Sequence, residues 1–126
     1  MRAVDTSAFI EWLANSPTGR PIEPLLPRRD AWIVPTMVQL ELSKWLRREV
    51  DPERAGEVAA FMEKCVVVPL DTTIALLAAE LSASAKLATA DAVIYATARH
   101  HRASLLTSDA HFIGLPDVVH VPKLRA

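Results

Sequence analysis

Four acids in this 126-residue chain stand where ordinary solvated carboxylates are out of place: Asp5, Glu41, Asp91 and Asp109. Asp5 and Asp109 each follow a short apolar run, Ala3-Val4 and Ser104-Leu105-Leu106-Thr107. Glu41 borders an apolar helical arc with Met37, Val38, Leu42 and Trp45. Asp91 shares a face with Ile94 and Ala98. An ionised carboxylate on a buried face is costly unless a cation or metal pairs with it. Carboxylates gathered together also raise one another's pKa unless a cation intervenes. Four convergent oxygen donors suit a hard divalent ion such as Mg2+ or Mn2+. One or two such ions can activate water and stabilise a phosphoryl transition state. An acid-only set without a dedicated His or Cys nucleophile therefore points to phosphodiester hydrolysis.

Each acid also has a purely local reading. Asp5 fits a helix cap, Glu41 a surface residue near Lys44 and Lys64, Asp91 a favourable first-turn charge, and Asp109 a turn. The other acids serve as controls. Asp71 and Asp51 are ordinary helix caps, Asp30 and Asp117 turn residues, and Glu53, Glu57, Glu63 and Glu80 solvated helix faces. Of the four histidines only His111 is close to a candidate, Asp109.

The elements that must position these acids alternate. A strand ends at Val4, and Thr6 or Ser7 is expected to cap a helix carrying Phe9, Ile10, Trp12 and Leu13. Pro17 to Pro27 reads as one exposed loop. A strand over Ala31-Trp32-Ile33-Val34 stops at Pro35, and a helix spans Thr36 to Glu49. Asp51-Pro52-Glu53 opens another helix, ending near Lys64. Cys65 to Pro69 reads as a strand buried on both faces. Helices follow from Asp71 to about Ala85 and from Thr89 to about Arg102, then a strand over Ala103–Thr107 and a weak last one over Val118–Val121. Such alternation predicts an α/β fold with a mostly parallel sheet and helices on both faces, its ligand crevice beyond the carboxyl ends of the strands.

Bulk properties bound the rest. The length suits one domain over residues 1–126, and 51% hydrophobic residues supply a core. A net charge of −1 leaves nucleic-acid binding to local basic patches. The candidates, expected near the mouth of the crevice, are Arg20, Arg28, Arg29, Lys44, Arg47 and Arg48. The lone Cys65 fits a reducing cytoplasm, and no stretch approaches the roughly 20 apolar residues of a membrane span.

Four blocks resemble the PIN-domain nucleases, and among them the VapC-type toxins of prokaryotic toxin–antitoxin pairs. They are Met1-Arg2-Ala3-Val4-Asp5-Thr6-Ser7, Val34 to Leu42 around Glu41, Leu87 to Ala98 around Asp91, and Leu105 to Phe112 around Asp109, followed by Leu115-Pro116. The resemblance covers essentially the whole chain. It departs where a glycine is common near Lys86-Leu87, and at His111, where many relatives carry a further acid. It implies a three-layer α/β/α sandwich and a Mg2+- or Mn2+-dependent endoribonuclease. Asp5, Glu41, Asp91 and Asp109 would be the metal ligands, with Thr6, Ser7 and Thr107 as supporting hydroxyls. It also implies a homodimer and a VapB-type antitoxin that blocks the acidic groove. A second metal is expected to depend on substrate.

Two other classes were weighed. A haloacid dehalogenase-type phosphohydrolase needs a second Asp two residues after the first, where Ser7 stands. The other class is a binding module: a receiver domain needs paired acids after its first strand, which Asp5-Thr6 does not supply, and a degenerate PIN domain would lack one of the four acids, of which none is missing.

Overall fold

In the computed structural model, which describes residues 1–124, five short strands form one parallel sheet flanked by helices. The strands are β1 (Arg2–Val4), β2 (Trp32–Pro35), β3 (Val66–Val68), β4 (Ser104–Thr107) and β5 (Val118–His120). The helices are α1 (Thr6–Leu13), α2 (Gly19–Ile22), α3 (Thr36–Glu49), α4 (Pro52–Glu63), α5 (Thr72–Ala85) and α6 (Thr89–His100). The sheet order is β3-β2-β1-β4-β5, and every pairing is parallel. Successive strands thus leave β1 in one direction as far as β3, then return to its other side with β4. The order reverses between β1 and β4, and that reversal opens a crevice at their carboxyl ends.

Local chemistry accounts for most elements. Asp51 and Asp71 cap α4 and α5, accepting from the Arg54 and Ile74 amides at 2.7 and 2.9 Å. The core gathers Ala3, Val4, Ile33, Val34, Leu105 and Leu106 from the central strands. Phe9, Val38, Leu42, Ile94 and Ala98 come from the helices that cover them. Lys86 ends α5 in the left-handed conformation at φ 56°, a backbone that glycine adopts without steric cost.

Three expectations need correction. Pro17 to Pro27 is not one exposed loop: it holds α2 and a 3-10 turn at Glu23–Leu25, with Thr18, Gly19 and Ile22 buried. Gly19 makes this packing possible, lying directly over the Glu11 carbonyl. The valine strand is only partly buried, Val66 and Val67 being half-exposed, because β3 is the sheet's edge. Neither Thr6 nor Ser7 caps α1; Asp5 takes the cap position, with no side-chain bond to the helix. No single helix among the described residues is long and apolar enough to cross a membrane.

A methyl group at Gly19 would sit 2.3 Å from the Glu11 carbonyl oxygen. Gly19→Ala is therefore expected to destabilise the fold by about 1–3 kcal/mol, read as a lowered midpoint in thermal or urea unfolding.

Candidate active site

The carboxyl ends of β1 and β4 are tied together by side chains. The Asp5 amide donates to the Leu106 carbonyl at 2.8 Å, carrying the strand pairing one residue further. The Asp5 side chain then turns toward β4 rather than into its own helix. Its Oδ2 accepts from Ser7 Oγ at 2.7 Å and from Thr107 Oγ1 at 2.8 Å. Thr107 Oγ1 in turn accepts the Asp109 amide at 2.9 Å, and Ser7 Oγ accepts the Ser108 amide at 3.0 Å. Two hydroxyls thus fix Asp5 and, through the backbone, the turn that carries Asp109.

Glu41 arrives from α3, which begins directly at the end of β2. Its Oε1 accepts from Thr6 Oγ1 at 2.7 Å, so Thr6 bonds to an acid instead of capping a helix. Asp91 lies in the first turn of α6 with its side chain 20% exposed, and Asp109 is 27% exposed. His111 completes the rim. Its Nδ1 lies 3.1 Å from Asp109 Oδ1 and 3.8 Å from Asp91 Oδ2, while its amide donates to Asp109 at 2.9 Å.

The electrostatics show how close these groups are. Burial pushes the Asp5 carboxyl above its ordinary range, the hydroxyls of Ser7 and Thr107 offset part of this, and Asp109 and Glu41 push it further up. Asp91 is raised to about 6, first by burial and then by repulsion from Asp109, Asp5 and Glu41; His111 opposes the shift. Among the described residues no lysine or arginine pairs with any of the four acids. A set of oxygen donors that raise each other's pKa and have no protein cation between them fits a hard divalent ion. Ligand atoms of Asp91, Asp109 and His111 lie within 4.8 Å of one another, which suits a shared ion.

The basic candidates separate. Arg28 and Arg29 immediately precede β2, so in a parallel sheet they lie at the amino edge, opposite the acids. The expectation that they flank the mouth is corrected by strand direction alone. There they border a cleft of about 870 Å3 with Trp12, Trp32, Phe61 and Lys64. Arg20 is exposed on α2, whose Gly19 sits over Glu11 and Trp12. Lys44, Arg47 and Arg48 are exposed on α3; Lys44 follows Glu41 by one turn, and Arg48 pairs with Glu49. Sequence reasoning passed over Ser108, His120 and Lys123, which line a second cleft beside Asp109. Ser108 directly precedes Asp109; only the return of β5 alongside β4 brings His120 and Lys123 there, and no spacing in the sequence signals it.

The family model for the PIN domain matches residues 2–117. The chain belongs to the PIN-domain family. Solved structures share this PIN fold at low identity. A chain of a toxin–antitoxin complex from Klebsiella pneumoniae superposes with a TM-score of 0.83 at 22% identity, covering 98% of this chain and 100% of the other. VapC20 of Mycobacterium tuberculosis, described as a sarcin–ricin loop cleaving toxin, gives 0.76 at 18% identity, with 94% and 97% covered. A chain of the FitAB complex bound to an IR36 DNA fragment gives 0.75 at 21% identity, with 100% and 99% covered. No curated protein sequence matches this PIN domain.

The raised Asp91 pKa has a signed consequence. Between 3.8 and about 6 the folded chain holds a proton that the unfolded chain has released. In chelator, the contribution of Asp91 to stability should therefore be highest below that window, fall as pH rises through it, and level off above. A divalent ion binds the ionised form, so Mg2+ or Mn2+ should raise the melting midpoint more at about pH 7.5 than at about pH 5. Calorimetry at both pH values checks this; an equal rise at both would contradict it.

Proposed function

We propose that this PIN domain is a divalent-metal-dependent endoribonuclease, the toxin of a VapBC-type toxin–antitoxin pair. The observation that carries this reading is the gathering of Asp5, Glu41, Asp91 and Asp109, from four separate segments, at one sheet edge with no protein cation between them. PIN domains are generally nucleases dependent on divalent metal, and a toxin described as sarcin–ricin loop cleaving is among the structural neighbours. In this reading the four carboxylates hold one or two Mg2+ or Mn2+ ions. Bound there, such an ion would neutralise charge on the phosphodiester and lower the pKa of a water.

The chain's own residues do the rest. Thr107 and Ser7 hold the Asp5 carboxylate in one orientation, and Thr6 does the same for Glu41. Lys44, Arg47 and Arg48 supply positive charge for RNA phosphates on α3, the helix that carries Glu41. A small-molecule phosphohydrolase is disfavoured by Ser7, which stands where a second Asp is needed and is occupied in binding Asp5. A binding-only PIN domain is disfavoured by the presence of all four acids.

Purified protein is expected to cleave RNA with Mg2+ or Mn2+ and not in chelator. Asp5→Asn and Asp91→Asn should each abolish cleavage while circular dichroism shows an intact fold. Thr107→Ala should lower it by about 10–100-fold, as loss of a ligand-orienting partner typically does. Full activity of both asparagine variants in chelator would overturn the assignment.

The toxin reading includes a VapB-type antitoxin and a homodimer. The solved neighbours include VapBC and FitAB complexes. In this reading a second copy covers exposed apolar residues: Leu40 on α3, Leu76 on α5, and Leu70, whose amide bonds to Thr36 at the start of α3. Leu76→Asp should shift the protein from dimer to monomer in size-exclusion chromatography with light scattering, without unfolding it.

A further inference from the structure

The acidic edge continues past Asp109 into the second cleft. This space, about 430 Å3, is lined by Ser108, Asp109, His111, His120 and Lys123. Parallel pairing sets His120, the last residue of β5, beside Thr107, the last of β4. The cleft therefore belongs to the same sheet edge as the four acids.

Its polar groups are incompletely used. Ser108 is 3% exposed, yet its hydroxyl has no hydrogen-bond partner among the described residues. His120 Nε2 is likewise withdrawn from solvent and unpartnered. Buried polar atoms in native proteins are nearly always satisfied, so two orphans lining one cleft call for an explanation. Lys123, exposed at the rim, makes no ion pair among the described residues. A group of four carboxylates repels a polyanion on its own, and an RNA strand crossing it needs cations on its flank.

We propose that this cleft is a subsite for the nucleotide adjoining the scissile phosphodiester. Lys123 contacts that nucleotide's phosphate, and Ser108 and His120 hydrogen-bond its sugar or base. The volume lies within the roughly 300–1,000 Å3 of small-ligand pockets, which admits one nucleotide. The inference rests on the endoribonuclease reading, but its test does not depend on cleavage.

A short fluorescent single-stranded RNA is titrated in chelator at several salt concentrations, with anisotropy as the readout. Lys123→Ala is expected to weaken binding at least about threefold and to lower the slope of log affinity against log salt by about one. Lys123→Arg should restore both. The double variant Ser108→Ala/His120→Ala should weaken binding with the salt slope unchanged, because it removes contacts to the sugar or base and none to phosphate. Calorimetric melts confirm that each variant is folded. Wild-type affinity and slope in Lys123→Ala would overturn the subsite, as would loss of affinity for an acidic peptide alone, or failure of the wild type to bind RNA. RNA binding with these losses, but no metal-dependent cleavage by the wild type, would leave the subsite standing and overturn the nuclease reading instead.

Discussion

The parallel pairing of β1 with β4 is the constraint on which the rest of this structure depends. The register Ala3 with Leu105 and Val4 with Leu106 brings two strand ends, a hundred residues apart, to the same height. The amide of Asp5 extends that ladder onto Leu106, and the hydroxyl of Thr107 reaches back to the Asp5 carboxylate. A one-residue slip would reverse the faces of Ala3 and Val4 and separate Asp5 from Thr107. The buried side chains of both strands oppose any such slip, since Ala3, Val4, Leu105 and Leu106 are almost wholly enclosed. Core packing thereby fixes the spacing of groups that repel one another.

That repulsion is the energetic cost built into the edge. Asp5 is buried and Asp91 half-buried, both are held above the ordinary carboxylate range, and neighbouring acids contribute to each shift. Hydroxyls from Thr6, Ser7 and Thr107 lessen the cost by hydrogen bonding, without neutralising it. His111 bears on the outer pair, Asp91 and Asp109. An imidazole there moderates the negative charge of the rim in place of adding to it. Lys123 and His120 lie beside the same rim, on the β5 side.

The two clefts illustrate why cavity size alone does not locate chemistry. The larger one is lined by Trp12, Trp32 and Phe61, whose rings pack against one another with centroids 5.2 to 6.0 Å apart, and it lies at the amino edge. The smaller one shares Asp109 with the acidic group. In a parallel sheet, strand direction separates the two edges, and side chains that follow strand ends gather on only one of them.

Periodicity and punctuation made most elements legible in the sequence: the caps at Asp51 and Asp71, the apolar arc of α3, and the valines of β3 are local signals. The four acids were legible as misfits, Glu41 and Asp91 from their helical faces, and Asp5 and Asp109 from their positions after short strands. Relationships between segments were not legible. Thr6 and Ser7 read as caps because a hydroxyl near a helix start ordinarily bonds its own backbone; here each finds a carboxylate that only the fold delivers. Arg28 and Arg29 read as neighbours of the site because charge is visible in sequence while strand direction is not. His120 and Lys123 gave no signal at all, since β5 joins the edge only by pairing with β4. The sequence by itself determined which groups are costly to leave unpaired. The tertiary structure alone decided which of them meet, because long-range strand order sets those distances.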